Sequence, residues 1–558
     1  MKANGKRGIQ KLLTVLLAVG VLASVIAACS GKNSDSNASG SSETPKGSAS
    51  TSASASPEEN PYKEKIKFTI SSVNAEKAGL NEDGSPSANL QWLQEKFNIE
   101  FEWWPLTWGN YIDQTRVWLN SDSAPDITML DVAASRYSEY LDWVEAGLFR
   151  PYDLDKYPNL SEVYNKMIIG KKYEVNGKLY AWPSIVDMSQ YDFVQANGYF
   201  YRKDWAQAVG LYQEDEFYTW DEWWTLMDAV MKQDPGKNGP GKTIGIIAPS
   251  DWQFPKFITG AISPYLLTFK QQEDKTWVWG PTLPESLEAI KKTKELYDKG
   301  YIWRDQPLVK PEDYKNNFAA NLVFAVTGSN VGVNGWTNDF IKPLEAANPG
   351  IKGEEAVSWA TVTGPNNRLT VWQAGDTWSQ TAMNHNLSDE KAERWQAVLD
   401  FLASDDGYNF RTFGIQGVDW DYDANGKVQH KWKQDENGNF VSPYPSSSTW
   451  PWSRPGGNWD GFALLNPSFP ESIRSKAIQA YEYVSDPSKA DIIPMNADFA
   501  FFTSEKYAQA TAGLETAIYQ KIAELIPSAN IESQWTAWVE QKAKEIQPAI
   551  DELNANVK

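Results

Sequence analysis

The chain has 558 residues, and its 52 Lys and Arg against 72 Asp and Glu give a net charge of −20 at pH 7. This charge repels polyanions at long range and argues against nucleic acid as a partner. A single cysteine and two histidines exclude a disulfide framework and a zinc site of the usual spacing. Patterns typical of serine hydrolases, P-loop enzymes and dinucleotide-binding enzymes are also missing from the sequence, so signals for catalysis are thin.

The N-terminus has the pattern of an export signal. Three basic residues occur within the first ten positions, the apolar run Leu12–Ala28 follows, and Cys29 comes directly after small residues. This order resembles a bacterial lipoprotein signal peptide, residues 1–28, whose next residue Cys29 is acylated, typically with palmitate. A short membrane anchor is the alternative, but an apolar run of this length is at the lower limit for spanning a bilayer. The prediction is a lipid-anchored protein on the extracytoplasmic face of a cell membrane.

Residues 29–60 are rich in Ser, Ala, Gly and Asn and hold no large apolar residue. Such a segment buries too little surface to repay the entropy of ordering, so we expect a flexible tether. About 530 residues remain after the signal peptide, too many for one hydrophobic core. The mature chain is therefore expected to form two lobes.

The first ordered part of the chain alternates strands with helices. Alternating or helical spacing of apolar residues predicts a parallel α/β sheet from the strands 65–70, 99–103 and 126–130 and from helices around 90–97 and 111–119.

Turn signals and helical periods continue to the C-terminus. The Asn-Gly pair in 175–180 predicts a hairpin, 199–202 reads as a strand, and 419–440 predicts short strands between two Asn-Gly turns. Helices are predicted at 220–231, 285–299, 389–403 and 471–484 and through the last fifty residues.

Tryptophan is unusually abundant, with 27 residues in the chain. Several lie in polar stretches rich in Gly, Pro or Asn, such as 103–108 and 450–454, rather than in aliphatic patterns. A pyranose ring has an apolar face and a hydroxyl rim, which flat aromatic side chains flanked by polar groups match. We expect most tryptophans to fill the interior, since Trp is highly buried on average, and a minority to bind sugar.

The stretch Val175–Pro183, with the sequence VNGKLYAWP, resembles a segment of the maltose-binding-protein class of extracellular solute-binding proteins. Further blocks occur in the order that the family shows and extend the resemblance over most of residues 65–420: 124–127 with Asp131, 201–205, 219–223, 334–336 and 413–418. The branch that the chain resembles most is that of the large Gram-positive lipoproteins that bind oligosaccharides, which includes alginate-oligosaccharide binders.

The resemblance implies a two-lobed α/β fold of the periplasmic-binding-protein type with a ligand cleft between the lobes. The N-terminal lobe would comprise residues 61–199 and 375–410, and the C-terminal lobe 200–374 and 411–558. The chain would cross between them near 199–201, 370–377 and 410. The implied function is that of the substrate-binding lipoprotein of an ABC importer, which captures an oligosaccharide and delivers it to a membrane permease. The protein would be a monomer without enzymatic activity or cofactor.

The resemblance also places residues at the cleft. Asp131 would accept hydrogen bonds from sugar hydroxyls, and Trp182 and Trp336 are the strongest candidates for stacking on a sugar ring. Loop context adds weaker candidates, of which the arginine suits a uronate carboxylate or two adjacent hydroxyls: Trp252, Trp378, Trp452 and Arg454. Core packing of the tryptophans, a solvated aspartate and an ordinary surface arginine remain the alternatives.

Two loops imitate calcium sites. Asp234–Gly239 stands where related proteins can carry a calcium loop, and Asp421–Gly426 imitates the first half of an EF-hand. An EF-hand loop needs oxygen ligands at positions one, three and five and a carboxylate at twelve. The first loop has Gly236 at position three and the second has Trp432 at position twelve. No metal site is therefore predicted.

Two other classes of function remain open from the sequence. A secreted glycoside hydrolase or lyase needs paired carboxylates across its cleft, and the chain has acidic residues in plenty. An adhesion or scaffold lipoprotein would carry its tryptophans on an outer surface and would lack a closing cleft.

Overall fold

The computed structural model describes residues 60–73, 79–81, 83–107, 109–132, 136–167, 170–185, 198–249, 258, 260–310, 312–328, 332–373, 377–435, 438, 440–444 and 467–557. The predicted signal peptide, Cys29 and the tether up to residue 59 lie outside this part of the chain. Residues Asn60–Lys558 form one compact unit.

The first part of the chain alternates strands and helices as the sequence predicts. Its elements are β1 (Ile66–Val73), α1 (Ala88–Phe97), β2 (Ile99–Leu106), α2 (Tyr111–Asn120), β3 (Ile127–Leu130), α3 (Tyr137–Glu145), β4 (Phe149–Arg150), α4 (Pro158–Lys166), β5 (Glu174–Val175), β6 (Lys178–Leu179) and β7 (Ala181–Ile185).

The middle part contains β8 (Gly198–Arg202), α5 (Lys203–Ala208), β9 (Phe217–Tyr218), α6 (Trp220–Gln233), β10 (Ile244–Ile247), β11 (Phe269–Gln271), β12 (Trp277–Trp279), α7 (Pro284–Asp298), α8 (Asp313–Ala319) and β13 (Val323–Gly328). A short helical turn at Val333–Gly335 and a π-helix at Trp336–Ile341 lead into α9 (Lys342–Ala347), α10 (Gly353–Ala356), β14 (Val357–Val362) and β15 (Leu369–Trp372).

The last part begins with β16 (Thr377–Asn384), α11 (Asp389–Ala403) and α12 (Asp405–Phe413), followed by β17 (Trp420–Tyr422) and β18 (Val428–His430). It ends with α13 (Glu471–Ser485), β19 (Ala490–Ile493), α14 (Ala497–Ala500), α15 (Glu505–Thr511), α16 (Leu514–Leu525) and α17 (Ile531–Asn556). In the described part of the chain, no helix is both long and apolar enough to span a membrane.

The first sheet has the order β2-β1-β3-β16-β4, and β7 also pairs with β16. β1 is parallel to β2 and β3, which confirms the predicted β–α–β arrangement, whereas β16 runs antiparallel to its neighbours. Its core draws on buried residues between Ile66 and Trp182 and again between Ala382 and Phe410, with Phe501 added from near the C-terminus. We call the part of the molecule built on this sheet the first lobe.

The second sheet has the order β10-β13-β8-β14-β9 and is the centre of the second lobe. β8 is buried along its whole length and runs antiparallel to β13 and β14. Two cores cover this sheet, one including helices α6, α7, α16 and α17 and the other the π-helix and α13. Strands and helices are therefore layered in each lobe as expected for an α/β protein.

Local sequence explains where several elements start and turn. The Thr219 side chain accepts a hydrogen bond from the Glu222 backbone N–H, and the Glu222 carboxylate accepts one from the Thr219 backbone N–H, which forms a capping box at the start of α6. Asn176 and Gly177 both have positive φ, at 52° and 73°, as the predicted hairpin between β5 and β6 requires.

The passages between the lobes differ from two of the predicted crossings. Tyr199–Tyr201 lies inside β8 of the second sheet, so the first passage precedes it, between Ile185 and Gly198. The second passage falls between Trp372 and Thr377, within the predicted interval. Phe410 belongs to the first core, so the crossing predicted near residue 410 comes later in the chain. The exact lobe boundaries stay predictions, because 186–197 and 374–376 lie outside the described residues.

The second lobe encloses a carboxylate, Glu216, which is 2% exposed. It accepts hydrogen bonds from the Ser358 hydroxyl at 2.7 Å and the Tyr201 hydroxyl at 3.3 Å, and the Lys476 ammonium lies 3.5 Å away. Burial raises the pKa of Glu216 above its ordinary value, and Lys476 opposes this shift only in part.

Candidate functional site

The carboxyl ends of the strands in each sheet mark where a ligand would bind. In open α/β sheets, ligands bind beyond these ends because the connecting loops diverge there. In the first sheet, β3 ends at Leu130 and Asp131 follows directly. In the second sheet, β13 ends at Gly328, which pairs with Gly198 at the start of β8.

At the carboxyl end of β3 in the first sheet, Asp131 contacts residues at the starts of two neighbouring helices. Tyr111, the first residue of α2, donates its hydroxyl to Asp131 Oδ2 at 2.7 Å. Arg136, the N-cap of α3, places an Nη2 2.6 Å from the same oxygen and donates Nε–H to the Asp131 carbonyl at 2.5 Å. Sequence reasoning found Asp131 but missed both partners, although Arg136 stands only five residues further along.

This trio, Tyr111, Asp131 and Arg136, is half-buried and charge-balanced. The Asp131 and Arg136 side chains are 16% and 23% exposed, so part of each polar group still meets solvent. Desolvation and the Asp131 carboxylate raise the pKa of Tyr111 to about 12, so its hydroxyl stays a donor at neutral pH. The trio thus presents fixed donors and acceptors of the kind that bind sugar hydroxyls.

In the second lobe, a cavity of about 430 Å³ lies where β8 begins and β14 ends. Three aromatic side chains line it, Tyr199 of β8, Trp220 of α6 and Trp372 of β15, together with Thr363 and Glu515. The Trp220 backbone N–H donates to the Thr363 hydroxyl at 3.1 Å, which fixes the start of α6 against the loop after β14. A cavity of this size with aromatic walls and a few polar groups is typical of a small-molecule site.

Trp372 is the aromatic side chain of this cavity nearest to the passage between the lobes. β15 pairs in parallel with β19, and the ring packs edge-to-face on Tyr265 with 5.3 Å between centroids. The side chain is only partly buried, so it retains surface for a ligand. Sequence reasoning did not single out Trp372, because Leu369–Trp372 has the pattern of an ordinary alternating strand.

The two groups of residues flank the same short connection. Gln373 directly follows β15, and Thr377 starts β16, so their Cα atoms are at most about 14 Å apart. On β16, the Gln380 side chain accepts the backbone N–H of Val132, the residue after Asp131, at 3.1 Å. One short connection therefore links β15, which lines the aromatic cavity of the second lobe, to β16, which contacts the residue after Asp131 in the first lobe.

The two strongest stacking candidates from the sequence lie inside the lobes. Trp182 is 2% exposed in the first core, with its ring 6.0 Å from that of Tyr152 and 6.4 Å from that of Tyr164. Trp336 is 1% exposed in the second lobe and lies edge-to-face on Phe200 at 5.9 Å. Neither ring has a free face for a sugar in this structure, so the expectation that they stack on ligand is replaced by core packing.

The remaining sequence candidates cannot be assigned from the fold. Trp252, Trp452 and Arg454 lie outside the described residues. Trp378 belongs by its backbone to β16, but its side chain is not among those described. In the tryptophan cluster after residue 102, Trp104 is partly buried and packs edge-to-face on Trp118 at 5.4 Å.

The imitated calcium loops use their oxygens internally. Asp234 accepts from the Thr243 hydroxyl at 2.6 Å and from the Gly239 backbone at 2.8 Å. Asp423 accepts from the backbones of Asn425 and Lys427, each at 2.8 Å. Within the described ranges, no cluster of three or more His, Cys, Asp or Glu is arranged to hold a metal ion.

Two curated proteins of Bacillus subtilis strain 168 are similar in sequence. The polygalacturonan/rhamnogalacturonan-binding protein YtcQ is 24% identical over 311 residues, which are 55% of this chain and 58% of that protein. Lipoprotein LipO is 24% identical over 352 residues, which are 61% of this chain and 64% of that protein. The chain thus matches about three fifths of the length of each relative. No protein-family model matches the sequence.

Solved structures resemble the fold over nearly the whole chain. The alginate-binding protein AlgQ2, solved without calcium ion, is 14% identical with a TM-score of 0.62 and covers 88% of this chain and 98% of its own. The S. pneumoniae ABC-transporter substrate-binding protein FusA in complex with kestose is 16% identical with a TM-score of 0.59, covering 88% and 100%. An HMO-binding, ABC-transporter-associated solute-binding protein from Bifidobacterium longum infantis is 17% identical with a TM-score of 0.58, and the match covers 88% of this chain and 98% of that one. These likenesses confirm the predicted fold class: the chain has the two-lobed α/β fold of ABC-transporter solute-binding proteins, with a ligand cleft between the lobes.

Proposed function

We propose that this protein is the substrate-binding lipoprotein of an ABC importer, which captures an oligosaccharide in the interlobe cleft and delivers it to a membrane permease. One observation supports the proposal: the second lobe has a cavity lined by Tyr199, Trp220 and Trp372, the first lobe has a polar trio around Asp131, and one short connection joins β15 at the cavity to β16 beside the trio. The cavity offers aromatic faces for a sugar ring, and the trio offers fixed hydrogen-bonding groups for its hydroxyls.

The binding mechanism follows from this division of roles. The cavity on the second lobe accepts a sugar ring against Trp372, and each aromatic stack contributes about 0.5–1.5 kcal/mol beyond the area it buries. The first lobe then brings Asp131 and Tyr111 to the hydroxyl rim, where they exchange hydrogen bonds with water for bonds with the ligand. Arg136 keeps Asp131 in place, so the carboxylate loses little entropy on binding. In this role the protein captures and releases the ligand without cleaving any of its bonds.

The relatives suggest which glycans to test first. YtcQ is named for polygalacturonan and rhamnogalacturonan, AlgQ2 for alginate, and FusA is solved with kestose. We propose an oligosaccharide from plant or algal polymers as the ligand class, with pectic fragments first. Both acidic and neutral chains belong in the first panel.

The proposal includes attachment through Cys29 to the outer leaflet side of the cell membrane, with the chain acting as a monomer next to its permease. The export-signal pattern and the similarity to lipoprotein LipO support the anchor. Mass spectrometry of the N-terminal peptide from membranes tests it: we expect a diacylglyceryl group, with palmitate, on Cys29. A Cys29→Ser chain should be released into the medium.

The decisive experiment titrates residues 60–558 with oligogalacturonides, alginate oligosaccharides and kestose while following tryptophan fluorescence and the appearance of new reducing ends. Saturable quenching without new ends supports the receptor. New reducing or unsaturated ends would identify a glycan-degrading enzyme instead. Trp372→Ala should shift the titration by a ligand that the parent chain binds to about tenfold higher concentration. Trp538→Ala, a matched loss of a partly buried tryptophan that packs on Trp279 outside the cavity, should leave the titration unchanged.

A further inference from the structure

A short segment near the C-terminus, Met495–Thr503, touches both lobes, and we call it the strap. Phe501 of the strap is 7% exposed and belongs to the core of the first lobe. Its ring lies edge-to-face on Tyr137 at 5.2 Å and on Tyr173 at 5.4 Å. This placement is unexpected from the order of the chain, because β19 before the strap and α15–α17 after it belong to the second lobe.

Phe499, two residues before Phe501, packs against the second lobe instead. Its ring stacks on Trp277 of the second lobe with 4.7 Å between centroids and 27° between planes, and it also contacts Phe269 at 6.2 Å. The Asn496 side chain caps this turn by accepting the Phe499 backbone N–H at 2.9 Å. The strap therefore places Phe501 in the first lobe and Phe499 in the second, although a single residue separates them.

An ion pair joins the strap to the first lobe. Asp498 lies 2.8 Å from the Lys172 ammonium, and the Tyr137 hydroxyl donates to the Lys172 carbonyl at 2.5 Å. Beside them is a cavity of about 520 Å³, which Phe502 and Thr503 of the strap border together with Asn556 at the end of α17. The strap is thus fixed at its two rings while one side of it is not tightly packed.

We propose that the strap is a tether that limits the relative motion of the lobes and sets their opening equilibrium. If the lobes move apart at this point, either Phe499 or Phe501 must leave its aromatic neighbours and meet water, which costs free energy. The cavity beside the strap permits small displacements without a steric clash. The ligand affinity then depends on the strap although no strap residue needs to touch ligand, because a receptor binds in proportion to the population of its competent conformation.

Distance measurements on the ligand-free protein test this tether independently of the proposed ligand. Cys29 is the only cysteine of the chain, so residues 60–558 can carry two spin labels at Glu145→Cys on α3 and Glu288→Cys on α7, both exposed positions. Pulsed electron–electron double resonance then gives the distribution of distances between the lobes. We expect Phe499→Ala and Phe501→Ala each to broaden or shift this distribution, with a minor conformation enriched about tenfold or more.

The matched control is Phe502→Ala. Phe502 is a neighbouring strap residue whose ring contacts Tyr507, five residues along the chain, at 5.3 Å. This contact is local, unlike that of Phe499 with the distant Trp277, so its loss should leave the distribution as in the parent chain. The double change of Phe499 and Phe501 should broaden the distribution no further than one change, because either cut releases the same tether. Equal effects of all three phenylalanines, or additive effects of Phe499 and Phe501, would overturn the proposal.

A second variant covers the case in which loss of a buried ring prevents folding. Asp498 is 71% exposed, so Asp498→Ala removes the ion pair without opening a core. We expect a smaller shift in the same direction as for Phe501→Ala, with an unchanged melting temperature. An unaltered distribution in Asp498→Ala and in every folded phenylalanine variant would show that the strap only packs against the lobes. Failure to bind any glycan would count against the proposed function and leave this result untouched.

Discussion

Replacing Trp336 by alanine should weaken the second lobe without touching the ligand site. The ring is 1% exposed and packs within the core that also holds Phe200 and Phe340. The sequence suggested a sugar-stacking role for Trp336, so the two interpretations predict opposite results. If the ring stacks on ligand, affinity falls while stability hardly changes; if it fills the core, stability falls.

The magnitude follows from the buried area. A tryptophan buries about 150–250 Å² on folding, and at about 25 cal/mol per Å² this corresponds to roughly 4–6 kcal/mol. Alanine keeps a small part of it, so we expect Trp336→Ala to lower the free energy of unfolding by about 3–5 kcal/mol. For the compact unit Asn60–Lys558, whose unfolding entropy is about 1 kcal/mol/K at its size, that loss lowers the melting temperature by about 3–5 °C.

Trp336→Phe is the matched control. The indole Nε1 of Trp336 is buried and has no hydrogen-bond partner among the residues that the structure describes. Phenylalanine keeps most ring contacts and removes this donor, so we expect a loss of only about 1–2 kcal/mol.

Differential scanning calorimetry of residues 60–558 measures both variants, and fluorescence titration with a glycan that the parent chain binds measures their affinity. The refuting result is Trp336→Ala that melts within about 2 °C of the parent and binds at least tenfold more weakly.

Three further expectations follow from the other sites. Trp372→Ala should weaken glycan binding by about tenfold at a nearly unchanged melting temperature, because its ring is only partly buried; equal affinity would remove it from the site. Asp131→Ala should cost about 1.5–3 kcal/mol of binding energy, measured by calorimetric titration, and Tyr111→Phe should cost less because Arg136 still holds Asp131; the reverse order would contradict the arrangement. Glu216→Gln should gain stability relative to the parent chain as pH rises. The raised pKa of Glu216 means that the folded state holds its proton more tightly than the unfolded state, so the parent loses stability from the unfolded pKa upward through the folded pKa. Unfolding in urea at pH 4 and pH 7 checks this, and a difference between variant and parent that is the same at both pH values would contradict it.

Several of these features could be read from the sequence because they depend on neighbours along the chain. The hairpin turn at Asn176–Gly177 and the capping box at the start of α6 are set by two to four adjacent residues, and both are present as local chemistry dictates. Helix α11 has the predicted bounds, Asp389–Ala403, because its apolar positions recur at helical spacing after the N-cap Ser388. The place of Asp131 is different in kind: the resemblance to solute-binding proteins implies it at the cleft rim, and in the structure it directly follows β3.

The tryptophans show what such reasoning leaves undecided. The sequence favoured Trp182 and Trp336 for the cleft, whereas the partly exposed aromatic residue beside the interlobe passage is Trp372. Whether a ring faces solvent depends on which distant segment covers it: Phe200 covers Trp336, and Tyr164 packs near Trp182. The residues that flank a tryptophan in the sequence do not indicate which distant segment will pack over it.

By itself, the sequence determined the export-signal pattern and the alternation of strands and helices typical of an α/β protein, and its length indicated two lobes. It did so because periodicity and turn chemistry act over a few residues. Only the tertiary structure decided which aromatic side chains remain accessible, that Tyr111 and Arg136 converge on Asp131, and that the strap returns Phe501 to the first lobe. Apart from the contact of Arg136 with Asp131, five residues away, these depend on contacts between segments distant in the chain, whose geometry no local pattern specifies.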